Sequence, residues 1–229
     1  MADSSSDRAG VVREGSPWYR FVKWLVRNTF WRLAGGVETR GEENIPTTGP
    51  TLIAPIHISH LDPPLIGSFI PRHICFMAKK ELFKPPIMDR LLLSLGAFPV
   101  ERDAGDTKAV RTALDILNQG RALLVFPEGT RGDGRHLGEI QAGISLLARR
   151  TGAVIVPIGI SGTEKIFPRG SKRFRRHRVT LVYGRPFSYQ ECGDDRERFV
   201  QVLKERLLET TSDAGLELLP SPLKTTSLD

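Results

Sequence analysis

From Gly49 onward, short apolar runs take turns with stretches whose apolar positions recur every three to four residues. That alternation constrains the chain more than any other feature of it. TLIAPI (51–56), ICFMA (74–78), AFPV (97–100), ALLVF (122–126), AVIVPIGI (153–160) and VTLVYG (179–184) predict buried strands. KPPIMDRLLLSLG (84–96) predicts a helix ending at Gly96. TKAVRTALDILNQ (107–119) predicts another, capped by Asp106 and stopped by Gly120, with positions 109/110, 113/114 and 117 on one face. EIQAGISLLARR (139–150) and DDRERFVQVLKERLLET (194–210) predict two more. Strands feeding helices in this way predict an α/β architecture, a layered mixed sheet flanked by helices. At 229 residues one large domain is expected. It is placed at 37–215, before a tail (216–229) expected to be low in structure.

The first segment reads differently. Residues 1–16 are polar, are expected to be disordered, and lack the apolar core of a secretory signal. Ser16-Pro17 then starts a helix, with Ser as N-cap and Pro at the first helical position, and Gly35-Gly36 stops it. Over 17–36 the basic residues Arg20, Lys23 and Arg27 fall on one stripe, and Trp18, Phe21, Val22, Leu25 and Leu33 cover most of the rest. All three tryptophans (Trp18, Trp24, Trp31) lie here and no acid does. Aromatic surface beside a cationic edge predicts an amphipathic helix lying in a membrane interface. The plainer alternative is a helix packed on the domain core.

Charge sharpens this division. The formal net charge is +7, and it resides in two acid-free segments, Trp18–Ala34 and Lys165–Gln190. Such patches suit phosphate-bearing surfaces, lipid or nucleic acid. Phe167 and Phe174 interleave the second patch, KIFPRGSKRFRRHR, as residues that insert among lipids would. No run of about 18–20 uncharged apolar residues exists, so no membrane-spanning helix is expected. Two cysteines, Cys75 and Cys192, make no disulfide framework and read as thiols in a reducing compartment. Five histidines and two cysteines show no ligand spacing, so no metal is expected. A basic nucleic-acid-binding protein is the competing class, without a helix-turn-helix, zinc or RNA-binding signature to support it.

Four segments follow strands and carry chemistry. HISHLD (57–62) places Asp62 where its carboxylate can reach back to an imidazole nitrogen of His57, leaving the other nitrogen as base. Asp62 capping the Pro63-Pro64 segment is the simpler reading of the same spacing. FPEGTR (126–131) offers a tight turn, a hydroxyl and a guanidinium at a strand end, where α/β sheets hold ligands. GAFPVER (96–102) and AKKEL (78–82) deliver Arg102 and Lys79 to the same edge.

Together and in this order, these blocks resemble the glycerophospholipid acyltransferase family, the 1-acylglycerol-3-phosphate acyltransferases and their relatives. The H-x4-D block is His57 to Asp62 with Ser59 inside it. The G-x-x-x-[IV]-x-R block is Gly96 to Arg102, the F-P-E-G-[TS]-R block is Phe126 to Arg131, and the closing apolar-Pro block is Val156-Pro157-Ile158. Ile56 stands where family members commonly carry Asn, and His60 is an additional histidine.

The resemblance implies a glycerol-phosphate acyltransferase-like fold and acyl transfer from an acyl-CoA or acyl carrier protein thioester to the free hydroxyl of lysophosphatidic acid. The product would be phosphatidic acid. Glycerol 3-phosphate or a lysophospholipid are the alternative acceptors. It makes His57 the general base and Asp62 its orienter, sets Lys79, Arg102 and Arg131 on the glycerol phosphate, and lets Glu128, Gly129 and Thr130 shape the acceptor pocket. No cofactor is implied beyond the thioester co-substrate. A lipid acceptor and a water-soluble donor meet at a bilayer, so membrane phospholipids are expected partners, nucleic acid is not, and a peripheral location on the cytoplasmic face follows. Trp18, Phe21, Trp24, Trp31, Arg173 and Arg176 are the expected interfacial residues.

Overall fold

A computed structural model describes residues 16–100, 107–168, 170–171 and 173–220. Seven strands form one sheet: β1 (Val37–Arg40), β2 (Thr51–Pro55), β3 (Ile74–Lys79), β4 (Ala97–Val100), β5 (Ala122–Leu124), β6 (Val154–Ser161) and β7 (Val179–Tyr183). Their spatial order is β1-β7-β6-β2-β5-β3-β4. All neighbours run parallel except β6 and β7. β2, β5 and β6 are too apolar for an edge, and each has a parallel partner on both sides or, for β6, a parallel and an antiparallel one. The expected α/β mixed sheet is present, and the six expected strands are all found within one or two residues of their expected ends. β1, VETR, went unforeseen because four residues with two charges carry no strand pattern, and only pairing with β7 makes it one.

The helices are α1 (Pro17–Asn28), α2 (Phe30–Ala34), α3 (Asp62–Phe69), α4 (Pro86–Ser94), α5 (Thr107–Asn118), α6 (Ala142–Thr151), α7 (Thr163–Ile166) and α8 (Arg196–Asp213). Asp195 caps α8 by accepting from the Arg198 N–H at 2.9 Å. The buried stripe of α8, Phe199, Leu203 and Leu207, lies on β6. Gly159 permits that approach, because a Cβ there would stand 2.1 Å from the Thr210 carbonyl oxygen. α6 begins three residues later than expected, since Glu139–Gln141 serve the loop that precedes it. The expected cap Asp106 lies outside the described residues. Leu219 is tied to the loop before α6: its N–H donates to the Arg135 carbonyl, and its own carbonyl accepts from the Leu137 N–H at 2.9 Å.

The single helix expected over 17–34 is two helices. Ser16 caps the first as expected, its Oγ accepting from the Tyr19 N–H at 3.2 Å. At Thr29 the hydroxyl bonds back to the Leu25 carbonyl at 2.7 Å, and a distorted turn separates the two helices. The short α2 then stops at Gly35, where a Cβ would lie 2.5 Å from the His177 carbonyl oxygen. α1 packs through buried Tyr19 and half-buried Val22, Lys23 and Val26, while Arg20 and Arg27 of its basic stripe stay exposed. The Lys23 ammonium donates to the carbonyl of Ile70, which ends α3, and the Arg27 guanidinium lies 4.9 Å from the Phe69 ring centroid. Burial, reinforced by the Arg27 charge, lowers the Lys23 pKa to about 8. Outward from α1 stand Trp18 (51% exposed), Phe21 (51%) and Trp24 (59%). Trp31 departs from the expected interfacial set: at 1% exposure it belongs to the core, edge-on to Phe69. The turn at Thr29 moves it off the face that Trp18 and Trp24 share. Among the described residues no helix is long and apolar enough to cross a membrane.

Candidate active site

The parallel strands β6, β2, β5 and β3 end on one edge, so whatever follows each strand meets whatever follows its neighbour. β2 lies between β6 and β5. The residues just past β2 are therefore bracketed by those past β6 on one side and those past β5 on the other. That arrangement brings together segments some seventy and a hundred positions apart in the chain.

Past β2, the chain turns through His57 into α3, whose first residue is Asp62. Asp62 is fully buried and every donor around it converges on its carboxylate. Oδ2 accepts from His57 Nδ1 at 3.0 Å and from the N–H groups of Ile58 and Ser59, each at 2.7 Å. Oδ1 accepts from the Thr163 hydroxyl at 2.7 Å. Asp62 thus closes the turn before α3 and contacts the imidazole at once; it does not cap α3, whose N-cap position is Leu61, without a side-chain cap hydrogen bond. An ionised carboxylate only accepts, which assigns the proton of that contact to Nδ1 and leaves the lone pair on Nε2. No described residue hydrogen-bonds Nε2. The imidazole is stacked on Phe126, ring centroids 3.9 Å apart, and is itself nearly buried.

Past β5, Phe126-Pro127-Glu128-Gly129-Thr130-Arg131 turns back against His57. Gly129 takes a φ of +71°, and its N–H closes the turn on the Phe126 carbonyl at 3.0 Å. Glu128 points inward. One oxygen accepts from the His57 N–H at 3.2 Å and the other from the Gly138 N–H at 2.9 Å, while the His57 carbonyl accepts from the Gly132 N–H at 2.8 Å. Burial pushes the Glu128 carboxyl up, against the pull of those two donors. A Cβ at Gly138 would stand 2.7 Å from the carboxylate, so a larger residue there would require Glu128 to shift. Glu128 therefore clamps the His57 backbone to the loop after β5, with both oxygens occupied within the protein.

The remaining expected residues divide. Arg131 is half-buried and lines a cavity of about 660 Å3 beside the histidine loop, together with Ile58, His60, Asp133, Glu164 and Phe167. Thr130 and Gly129 are exposed at the same turn. Lys79 ends β3 on the same sheet edge and is exposed. Arg102 lies outside the described residues. Arg173 and Arg176 are exposed in the segment that precedes β7, beside Phe174, whose ring packs on Phe167 at 5.5 Å. Among the described residues no three His, Cys, Asp or Glu side chains gather as metal ligands do. Thr163 was not foreseen. Its only local mark is the Ser-Gly-Thr that follows β6, and nothing in that triplet says it reaches Asp62.

The imidazole is thus buried against the Asp62 carboxylate, beside a cavity lined by its neighbours Ile58, Ser59 and His60. Residues 36–161 match the family model described as acyltransferase. The chain is 25% identical over 217 residues to the 1-acyl-sn-glycerol-3-phosphate acyltransferase of Streptococcus pneumoniae, covering 90% of this chain and 79% of that one. It is 27% identical over 183 residues to the enzyme of the same name from Bacillus subtilis, covering 77% and 89%. The crystal structure of PlsC, the 1-acyl-sn-glycerophosphate (LPA) acyltransferase of Thermotoga maritima, superposes with a TM-score of 0.72 at 25% identity, over 90% of this chain and 86% of that one.

Proposed function

We propose, from the premise that this chain belongs to the acyltransferase family and is an O-acyltransferase, that it acylates lysophosphatidic acid to phosphatidic acid. The donor is a fatty acyl thioester of coenzyme A or acyl carrier protein. The observation that carries this reading is the buried His57 Nδ1 to Asp62 Oδ2 contact at 3.0 Å. His57 Nε2 takes the proton of the acceptor hydroxyl as its oxygen attacks the thioester carbonyl. The tetrahedral intermediate then collapses, the C–S bond breaks, and the imidazolium returns its proton to the departing thiolate. His57 needs no covalent acyl-enzyme, and Asp62 holds the charge that forms on its ring. Arg131 supplies a guanidinium at the cavity wall for the acceptor phosphate. Lys79, and Arg102 on the strength of the sequence, complete the cationic side.

The protein works as a peripheral enzyme on the cytoplasmic face of the membrane. The outward row Trp18, Phe21 and Trp24 supports this, with the cationic Arg173 and Arg176 and the Phe167–Phe174 pair as a second contact. Two experiments test the reading. Thiol release by purified protein over lysophosphatidic acid, glycerol 3-phosphate and lysophospholipid acceptors is expected to be fastest with lysophosphatidic acid. Equal rates without it would reject the acceptor. Replacing Trp18, Phe21 and Trp24 together by Ser is expected to release the protein from anionic vesicles in a flotation assay, and unchanged binding would reject α1 as the contact.

A further inference from the structure

Asp62 has four donors, and three of them come from its own turn. The fourth, Thr163, comes from the far side of β6, 101 positions along the chain. Thr163 is fully buried and tied to the turn twice: its hydroxyl donates to Asp62 Oδ1 at 2.7 Å, and its carbonyl accepts from the Ser59 hydroxyl at 3.3 Å. The residue is delivered there by a constrained backbone. Gly162 before it has a φ of +97°, and a Cβ on it would lie 2.4 Å from the Arg178 carbonyl oxygen. The Gly162 N–H is itself held by Glu164 at 2.9 Å.

The geometry points to Thr163 as a positioning residue for acyl transfer. Its hydroxyl locks the rotation of the Asp62 carboxylate, so that Oδ2 and not Oδ1 meets the imidazole. A carboxylate held by one oxygen alone can swing about its Cβ–Cγ bond. With Oδ1 tied to Thr163, Oδ2 is left in the line that its bonds to Ile58, Ser59 and His57 define. The histidine loop is thereby registered to β6 as well as to β5, where Glu128 holds it. This inference rests on the reading of His57 as base. It adds that the base is aligned from a strand that supplies no catalytic group.

The test separates hydroxyl from shape. Thr163→Val keeps the volume and loses the donor; Thr163→Ser keeps the donor and loses a methyl group. With kcat measured by thiol release per mole of folded protein, Thr163→Val is expected to lower kcat roughly ten- to a hundredfold with both KM values within about twofold. Thr163→Ser is expected to keep kcat within about threefold although its melting temperature falls with the lost methyl group. If valine prevents folding, Thr163→Cys, a weak donor of similar size, is expected to fall between wild type and a donorless site. A kcat that follows melting temperature across the series, or Thr163→Ser as slow as Thr163→Val or Cys, overturns the proposal. His57→Ala measured in parallel separates the two claims. Turnover without His57 removes the base reading itself. An inactive His57→Ala beside a fully active Thr163→Val or Cys removes the role of Thr163 alone.

Discussion

Two histidines in this protein hold an aspartate through Nδ1 at 3.0 Å, His57 with Asp62 and His136 with Asp133, and they differ in everything but that distance. The side chains of the first pair are 8% and 0% exposed, and those of the second 40% and 49%. Asp62 gathers two backbone N–H groups of the turn that carries the histidine and a hydroxyl from another strand. Asp133 gathers the N–H groups of Arg135 and His136 and closes a surface loop. Water screens the second pair and competes for its geometry; the first is buried, and the donors to its carboxylate come from the protein. What holds the carboxylate sets the two histidine–carboxylate contacts apart, and the ring nitrogen distance alone does not reveal it.

Four substitutions probe that contrast, in order of expected effect. His57→Ala is expected to lower kcat by about 10⁴-fold, the upper range for a general base, with circular dichroism and vesicle binding unchanged. Turnover within tenfold of wild type would place both pairs in the same class. Asp62→Asn is expected to cost about 10²–10³-fold in kcat, because the amide offers a donor where four donors already converge. Glu128→Gln is expected to lower kcat about tenfold: its amide group faces either the His57 or the Gly138 N–H, and the backbone of the base shifts. His136→Ala is expected to change thiol release by less than about twofold. A loss as large as that of Asp62→Asn would make the exposed pair part of the machinery.

The surface pair does predict a pH effect on stability. Hydrogen bonding to His136 and to the backbone N–H groups depresses the Asp133 carboxyl well below its ordinary value. A depressed folded-state pKa means that the contribution is present above the unfolded value, about 3.9, and is lost as pH falls toward the folded one. Comparing urea midpoints of wild type and Asp133→Asn, the gap is expected to be small at pH 6, under about 1 kcal/mol, and to vanish on acidification toward pH 2. A gap that widens on acidification would contradict the assignment.

The N-terminal helices show where a local pattern stops informing. The Ser16 cap, the Gly35-Gly36 stop and the amphipathic composition of α1 were all legible, since each depends on residues within one or two turns. Which part of the basic stripe would be buried was not. Lys23 is half-buried because the carbonyl end of α3 is there to receive it, Arg27 lies over the Phe69 ring yet stays exposed, and Trp18 and Trp24 remain outside. Nor did periodicity foresee the break at Thr29 that buries Trp31. In the site, Glu128 was expected to shape the acceptor pocket, and its bonds to the His57 and Gly138 backbone N–H groups were not foreseen. A sequence shows that a carboxylate stands in a turn, not which amides the folded chain aims at it.

The alternation of strands and helices from Thr51 onward, the mixed α/β sheet and the placing of His57 and Asp62 within one turn were set by the sequence alone, because period, capping and short spacing act over a few residues. The neighbours of β2 were decided only in three dimensions. Setting β6 and β5 against it brings Thr163 and Glu128, 101 and 71 positions from their partners, to the two sides of the His57–Asp62 turn. Contacts at that separation carry no local periodicity; they exist because the packed sheet permits one order of strands, and the strand ends then share an edge.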